Sequence, residues 1–295
     1  MASAPPRGVP SAPPVRGNNR ELKGQQGFLG EAPMIPHLRE LALRKLTLYD
    51  ENWAALTEHQ VGTRIPDLVL ARLDLEAISD RIANALTRTL TATEVRVVRA
   101  TRTDSGTSIS KIAQSVPVSL DHLMRLTSRL VDEGFLETTA YGFIRSPSIR
   151  PIVSRLISFE AKRSDWKKAY LQARAHREFA HETYVAFDAT YETRFQRAID
   201  HYSSAGIGLV SVSAHGESTR LLVRSRPSRQ RLTRAMAWVA ETIWERLLRG
   251  RTRPLPQTRL PNGGVPSADQ EEVLLVGPRP KSLEKLLFDL ECLAG

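Results

Sequence analysis

Pro151-Ile152-Val153-Ser154-Arg155-Leu156-Ile157-Ser158-Phe159-Glu160-Ala161-Lys162, followed at once by Arg163-Ser164-Asp165-Trp166, decides how this chain is read. Proline punctuates its start and apolar residues run through it, so Val153–Lys162 reads as a strand and Asp165–Ala180 as the helix after it. Successive side chains on a strand point to opposite faces, which sends Ile157, Phe159 and Ala161 one way and Glu160 with Lys162 the other, their Cα atoms about 7 Å apart. A carboxylate and an amine therefore stand side by side at the end of an apolar strand. On these residues alone an ion pair on an edge strand, worth about 0–1 kcal/mol, is the plainer alternative.

Upstream, Arg64-Ile65-Pro66-Asp67-Leu68-Val69-Leu70-Ala71 reads as a second apolar strand. Pro66 makes it begin late or lie at an edge and places the Asp67 carboxylate near its start. Residues 33–46 carry apolar positions at helical spacing (Ile35, Leu38, Leu41, Ala42), Thr47-Leu48-Tyr49 reads as a short strand, and 75–90 returns to helix. Downstream come a strand at Thr183–Phe187, a helix at Tyr191–Ser203, a hairpin over Ile207–Val223, a strand at Glu272–Val276 and a helix at Ser282–Cys292.

The stretch between the two halves is organised differently. Thr91-Ala92-Thr93-Glu94 has the form of a capping box, Ser108–Ala113 is a short helix, and Ser119 caps a longer helix whose Leu123, Leu126, Leu130 and Val131 make one apolar stripe. Gly134–Glu137 then leads through a turn at Ala140–Gly142 into Phe143-Ile144. Helix, short helix, turn, longer helix and hairpin is the order of a winged helix-turn-helix.

The chain has 295 residues, 41% hydrophobic, with a formal charge of +10. That is enough for a real core and points to a polyanionic partner, nucleic acid or an anionic surface. Residues 224–260 hold ten arginines against Glu241 and Glu245, a local charge of +8. Their prolines at 227, 254 and 256 suit a membrane-surface helix poorly. A single cysteine, Cys292, excludes an internal disulfide and a Cys-based zinc site. No apolar run reaches the roughly 18–20 residues of a membrane span, and Met-Ala-Ser-Ala-Pro-Pro-Arg lacks the apolar core of a secretory signal. A cytoplasmic protein is expected, nucleoid-associated if it binds DNA, with no membrane partner and with homodimerisation left open.

Pro66-Asp67 with Glu160-Ala161-Lys162 resembles the signature of the PD-(D/E)xK nuclease superfamily, whose core runs helix, strands, helix, strand. The resemblance covers 31–73 and 152–215, and the two halves of the motif stand 93 residues apart. It implies an α/β fold: a restriction endonuclease-like mixed sheet flanked by helices and interrupted by a winged helix-turn-helix domain. The expected organisation is a disordered basic tail (1–30), a first nuclease-like part (31–75), the winged-helix insertion (76–150), a second nuclease-like part (151–223) and an Arg-rich C-terminal extension (224–295).

By the same resemblance Asp67 and Glu160 are metal ligands for Mg²⁺ or Mn²⁺ and Lys162 positions the attacking water. Gln172 occupies the glutamine position of the helix after the motif strand, where the aromatic residue often found four positions on is His176. Family members often add a carboxylate from the first helix, here Glu40 ahead of Glu31. Mg²⁺ is a hard cation that one or two carboxylates hold while it keeps several waters, and it activates water and stabilises phosphoryl oxygens. The implied activity is metal-dependent hydrolysis of DNA phosphodiesters. The alternative is a non-catalytic winged-helix DNA-binding regulator whose nuclease-like domain senses or dimerises.

For DNA contact, the exposed face of the helix after Ser119 offers His122, Arg125, Ser128 and Arg129, the hairpin offers Arg145, and the basic segment offers Arg229, Arg231 and Arg234. A winged helix that binds another protein is the third reading. The remaining candidates are weaker: His176, His181, His201 and His215 lack metal-site spacing, Gly206-Ile207-Gly208 is a turn rather than a phosphate loop, and Trp166 packs at a helix start behind a Ser164 or Asp165 cap.

Overall fold

The computed structural model describes residues 27–46, 52–61, 63–214, 219–228, 233–249, 252–254 and 273–276. Its centre is an eight-stranded mixed sheet. In chain order the elements are α1 (Met34–Lys45), β1 (Trp53–Thr57), β2 (Leu68–Leu73), α2 (Leu75–Ala83), α3 (Ala92–Ala100), α4 (Ile109–Ala113), α5 (Leu120–Asp132), β3 (Leu136–Thr139), β4 (Gly142–Arg145), β5 (Val153–Lys162), α6 (Trp166–His176), β6 (Glu182–Asp188), α7 (Glu192–Gln196), α8 (Ile199–Ser204), β7 (Gly208–Val212), β8 (Arg220–Val223), α9 (Thr233–Leu248), β9 (Thr252–Pro254) and β10 (Val273–Val276). The strand order is β8-β7-β6-β5-β2-β1-β10-β9, with β5, β6 and β7 parallel and with β2 antiparallel to both β1 and β5.

Period-two alternation in β5 builds both layers. Ile157, Phe159 and Ala161 join Leu68, Leu70, Tyr184, Ala186 and Val210 on one face, which α1 covers with Met34, Leu38, Leu41 and Ala42. The other face carries two apolar clusters. Val69, Ala71 and Leu156 pack against α2 and α9, whereas Val185, Phe187 and Leu209 pack against α6, α7 and α8. Ser158, Glu160 and Lys162 project between those two clusters, all buried, so β5 runs a polar seam through an otherwise apolar layer.

The strand at 153–162 and the hairpin at 207–223 form as the sequence suggests. Pro66 does delay its strand, which begins at Leu68. The edge of the first half differs: Thr47-Leu48-Tyr49 lies outside the described residues, and the strand pairing with β2 is instead Trp53–Thr57. The helix expected over 75–90 stops at Ala83, where Asn84 caps it and Ala85 takes a positive φ of 53°. The helix expected over 191–203 is broken at Ala198, whose φ and ψ leave the helical region. The chain is also ordered earlier than the expected tail allows: Phe28 is buried and its N–H donates to Asp188 Oδ2 at 2.8 Å.

Between β2 and β5 a separate apolar cluster is built by α3, α4, α5 and the β3–β4 hairpin, around Val97, Ile112, Leu123, Leu130 and Phe135. Thr91 and Glu94 make the capping box, and Ser119 caps α5. The hairpin is tied back to the loop before α4 by Thr107↔Phe143 and Arg102↔Ile144. Gly142 makes this possible, because a Cβ there would lie 2.3 Å from the Thr107 carbonyl oxygen.

The basic segment expected to be an extension carries α9 into the core. Val239, Ala240, Ile243, Trp244 and Leu247 form a stripe that packs on the sheet beside β5, because burying that stripe outweighs the solvation of its arginine-bearing side. Arg81 of α2 stacks over Trp244 at 4.7 Å and pairs with Glu241 at 3.0 Å, while Glu241 also accepts the Leu90 N–H at 2.8 Å. The C-terminal helix expected at 282–292 lies outside the described residues. No helix among them is long and apolar enough to cross a membrane.

Candidate active site

Asp67, Glu160 and Lys162 meet where β2 and β5 lie side by side. The antiparallel register sets Leu68 opposite Phe159, so Asp67, one residue before β2, falls beside the end of β5. Its Oδ2 accepts the Ala161 N–H at 2.6 Å. Lys162 Nζ lies 2.9 Å from Glu160 Oε1 and donates to Glu31 Oε2 and to the Ala161 carbonyl, each at 2.8 Å. Glu160 is 1% and Lys162 6% exposed, which removes the edge-strand surface pair as an account of these residues.

Helix α6 packs against β5 and β6. Asp165 caps it through the Lys168 N–H, and its Ala169 and Ala173 pack on β6 while His176, one turn after Gln172, reaches the seam. His176 Nε2 stands 3.7 Å from Glu160 Oε2. Glu160 Oε2, Gln172 Oε1 and His176 Nδ1 are all buried without a hydrogen-bond partner. Buried polar atoms are ordinarily paired, so this group of orphans marks a place where the fold leaves polar capacity unused.

The electrostatics follow from the burial. Glu160 is pushed up to about 7, first by desolvation and next by the neighbouring Asp67 charge, against the pull of Lys162. Burial also raises Asp67, opposed by the Ala161 N–H and by Lys162. Burial would lower Lys162, but its bonds to Glu31 and Glu160 outweigh that and hold the ammonium protonated. His176 is carried down to about 4 by burial and by the Arg64 and Lys162 charges, so it is neutral at pH 7. The arrangement is a carboxylate pair short of positive charge, next to one committed ammonium.

Of the other expected residues, Gln172 lies one turn before His176 on α6 with its Oε1 buried, and Glu40 is away from Lys162. Glu40 is exposed and pairs with Arg44 one turn along α1; Glu31, just before α1, supplies the carboxylate at Lys162 instead. The reason is the chain path: α1 lays its apolar stripe on the opposite face of the sheet, so only its N-terminal approach reaches the end of β5. His122, Arg125, Ser128 and Arg129 are exposed on α5 as expected. Arg129, however, is committed to the buried Glu94 at 2.7 Å, in a network with Arg88 and Glu133. Arg145 and Arg234 line separate hollows beside α3, and Arg229 and Arg231 lie outside the described residues. The sequence reading missed Arg96 and Arg99, which sit one turn apart on α3.

Comparison with family models, curated proteins and solved structures finds no match. Among the described residues no three His, Cys, Asp or Glu side chains are grouped to hold a metal ion. The residues present still fit a hard divalent cation. Two carboxylates suffice for Mg²⁺ when water and substrate phosphate complete its shell, and Glu160 Oε2 is a buried oxygen with nothing bound to it.

Proposed function

We propose that this chain is a DNA-binding protein with a PD-(D/E)xK-like core, in which a winged helix-turn-helix is inserted, and that it hydrolyses DNA phosphodiesters with Mg²⁺ or Mn²⁺. The observation that carries the reading is the Asp67–Glu160–Lys162 constellation at the β2–β5 junction, with Glu160 and Lys162 buried, Asp67 half-buried and one Glu160 oxygen unpartnered. The order helix, strands, helix, strand (α1, β1, β2, β5, α6, β6) agrees with the core of that superfamily.

In this reading Asp67 and Glu160 would hold the cation, which when bound would polarise a water and neutralise charge on the scissile phosphate. The chain's own residues do the rest. Asp67 is aimed by the Ala161 N–H, so its second oxygen is left for the site. Lys162 releases Glu31 to orient the attacking water or to face the phosphate, as a compact charge on a flexible stem. Neutral His176 flanks Glu160 without adding charge, and Gln172 offers an amide to water or substrate.

A second reading, binding without cleavage, draws on the same geometry: Lys162 already satisfies Glu31, Glu160 and the Ala161 carbonyl without any metal. Cleavage of end-labelled duplex, single-stranded and branched DNA with Mg²⁺, Mn²⁺ or EDTA separates the two. Metal-dependent products that disappear in Glu160→Ala and Lys162→Ala support the nuclease. Binding without products under any metal leaves the regulator.

A further inference from the structure

A second positive surface lies on α3 and α9, built from residues of neither the candidate active site nor α5. A cleft of about 490 Å³ opens between α3, the turn after α4 and the start of α9, lined by Arg96, Arg99, Ala100, Ser115, Pro117 and Arg234. Arg99 also lines an adjoining cavity of about 330 Å³, which Arg145 enters from the end of β4. Among the described residues no carboxylate lines the larger cleft. The one carboxylate of the adjoining cavity, Glu241, is already used by Arg81 and by the Leu90 N–H.

Four guanidinium groups from three elements thus line two hollows that Arg99 joins. The crowding is felt: Arg99 is lowered by burial and then by the charges of Arg234 and Arg145, and burial lowers Arg145 as well. Arg145 Nε is buried with no hydrogen-bond partner, and an unmet buried donor costs about 1–3 kcal/mol, more on a charged group. An anion with several acceptor oxygens removes both the repulsion and the unmet donor, and planar guanidinium forks match phosphate oxygens.

We propose that the Arg96–Arg99–Arg145–Arg234 cleft binds the phosphate backbone of a polynucleotide and is the main phosphate contact of the inserted helical module. The assignment rests on the nucleic-acid reading above and relocates its contact surface. On α5, Arg129 is tied to Glu94 and flanked by Asp132 and Glu133, with Asp121 in the first turn, so the outward face of that helix is close to neutral. The cleft is not.

The test is fluorescence polarisation with labelled duplex and single-stranded DNA of roughly 20 nucleotides over a salt series. The proteins compared are wild type, Arg96→Gln/Arg234→Gln, Arg99→Gln/Arg145→Gln, Arg125→Gln on α5, and Arg44→Gln as a surface control, each checked for an unchanged melting curve. Removing two phosphate contacts lowers the duplex log–log salt slope by about 1.8 and weakens binding at least ~10-fold at about 0.1 M salt.

The expected result is that loss in both cleft pairs, a smaller loss in Arg125→Gln and none in Arg44→Gln. Wild-type binding with cleft variants that bind equally well, or a larger loss in Arg125→Gln, overturns the assignment and leaves the nucleic-acid reading standing. A wild type that binds no DNA at any salt overturns both. Thermal stabilisation by inorganic phosphate or a mononucleotide, lost in the cleft variants but without polynucleotide binding, replaces the proposal with a small-anion site.

Discussion

Replacing Glu160 by glutamine should stabilise the fold while removing the proposed activity. The substitution keeps the side chain's shape and deletes a charge at a position 1% exposed. In the unfolded chain the carboxyl titrates near 4.5, and in the fold near 7. Between those values the folded state holds more protons than the unfolded one, so stability falls as pH rises through this window and stays lowered above it. At about 1.4 kcal/mol per tenfold change in proton affinity, the buried charge costs about 3 kcal/mol above pH 7. Glutamine carries no such burden. At about 2 °C per kcal/mol for a chain of this size, Glu160→Gln should melt about 6 °C above wild type near pH 8.5 and within about 1 °C of it near pH 4. The assay is thermal unfolding followed by circular dichroism in EDTA at several pH values. A variant that melts below wild type at the higher pH, or that differs equally at all pH values, refutes the reasoning. Adding Mg²⁺ at the higher pH should then raise the wild-type midpoint and leave the variant's unchanged, because only the ionised carboxylate gains by binding the cation.

Lys162→Met removes an ammonium from between Glu31 and Glu160; leaving a buried carboxylate unpaired should cost about 3–5 kcal/mol near pH 8 and much less below pH 5, read by denaturant unfolding. Glu94 is 0% exposed. Burial would raise it, but Arg88 and the Thr91 N–H carry it down to about 2. Its contribution is therefore present above pH 4.5 and lost as pH falls toward 2, and Glu94→Gln should destabilise the helical module by about 3 kcal/mol at neutral pH, seen as lost hydrogen-exchange protection in α3 and α5. Gly142 has a φ of 123° and its Cβ would strike the Thr107 carbonyl at 2.3 Å. Gly142→Ala should then loosen the β3–β4 hairpin by at least ~2 kcal/mol, visible as local exchange at 136–145, while β5 and β6 keep their protection.

Much of the fold was legible where neighbouring residues suffice to determine it. The strand 153–162 is read with both ends because alternation and a preceding proline are local signals, and the capping box at Thr91 works within one turn of helix. Strand β1 was missed because Trp53-Ala54-Ala55-Leu56 is buried on both faces and so shows no alternation. Trp238, Ile243, Trp244 and Leu247 mark an amphipathic helix in the sequence, but its place in the core was missed because the surrounding stretch 224–260 is rich in arginine, although α9 itself carries only Arg234 and Arg246 and its apolar positions decide where it packs.

The site divides the same way. That Glu160 and Lys162 share a side of one strand follows from a backbone period of two, and Asp67 at the head of a strand follows from Pro66; the sequence by itself determined these. Whether the pair was buried or exposed, whether Glu31 or Glu40 reached Lys162, and that Arg96, Arg99, Arg145 and Arg234 would face one another were decided only by tertiary structure. Each of those depends on how elements tens of residues apart are stacked, and burial, unlike side-chain direction along a strand, has no representation in local sequence.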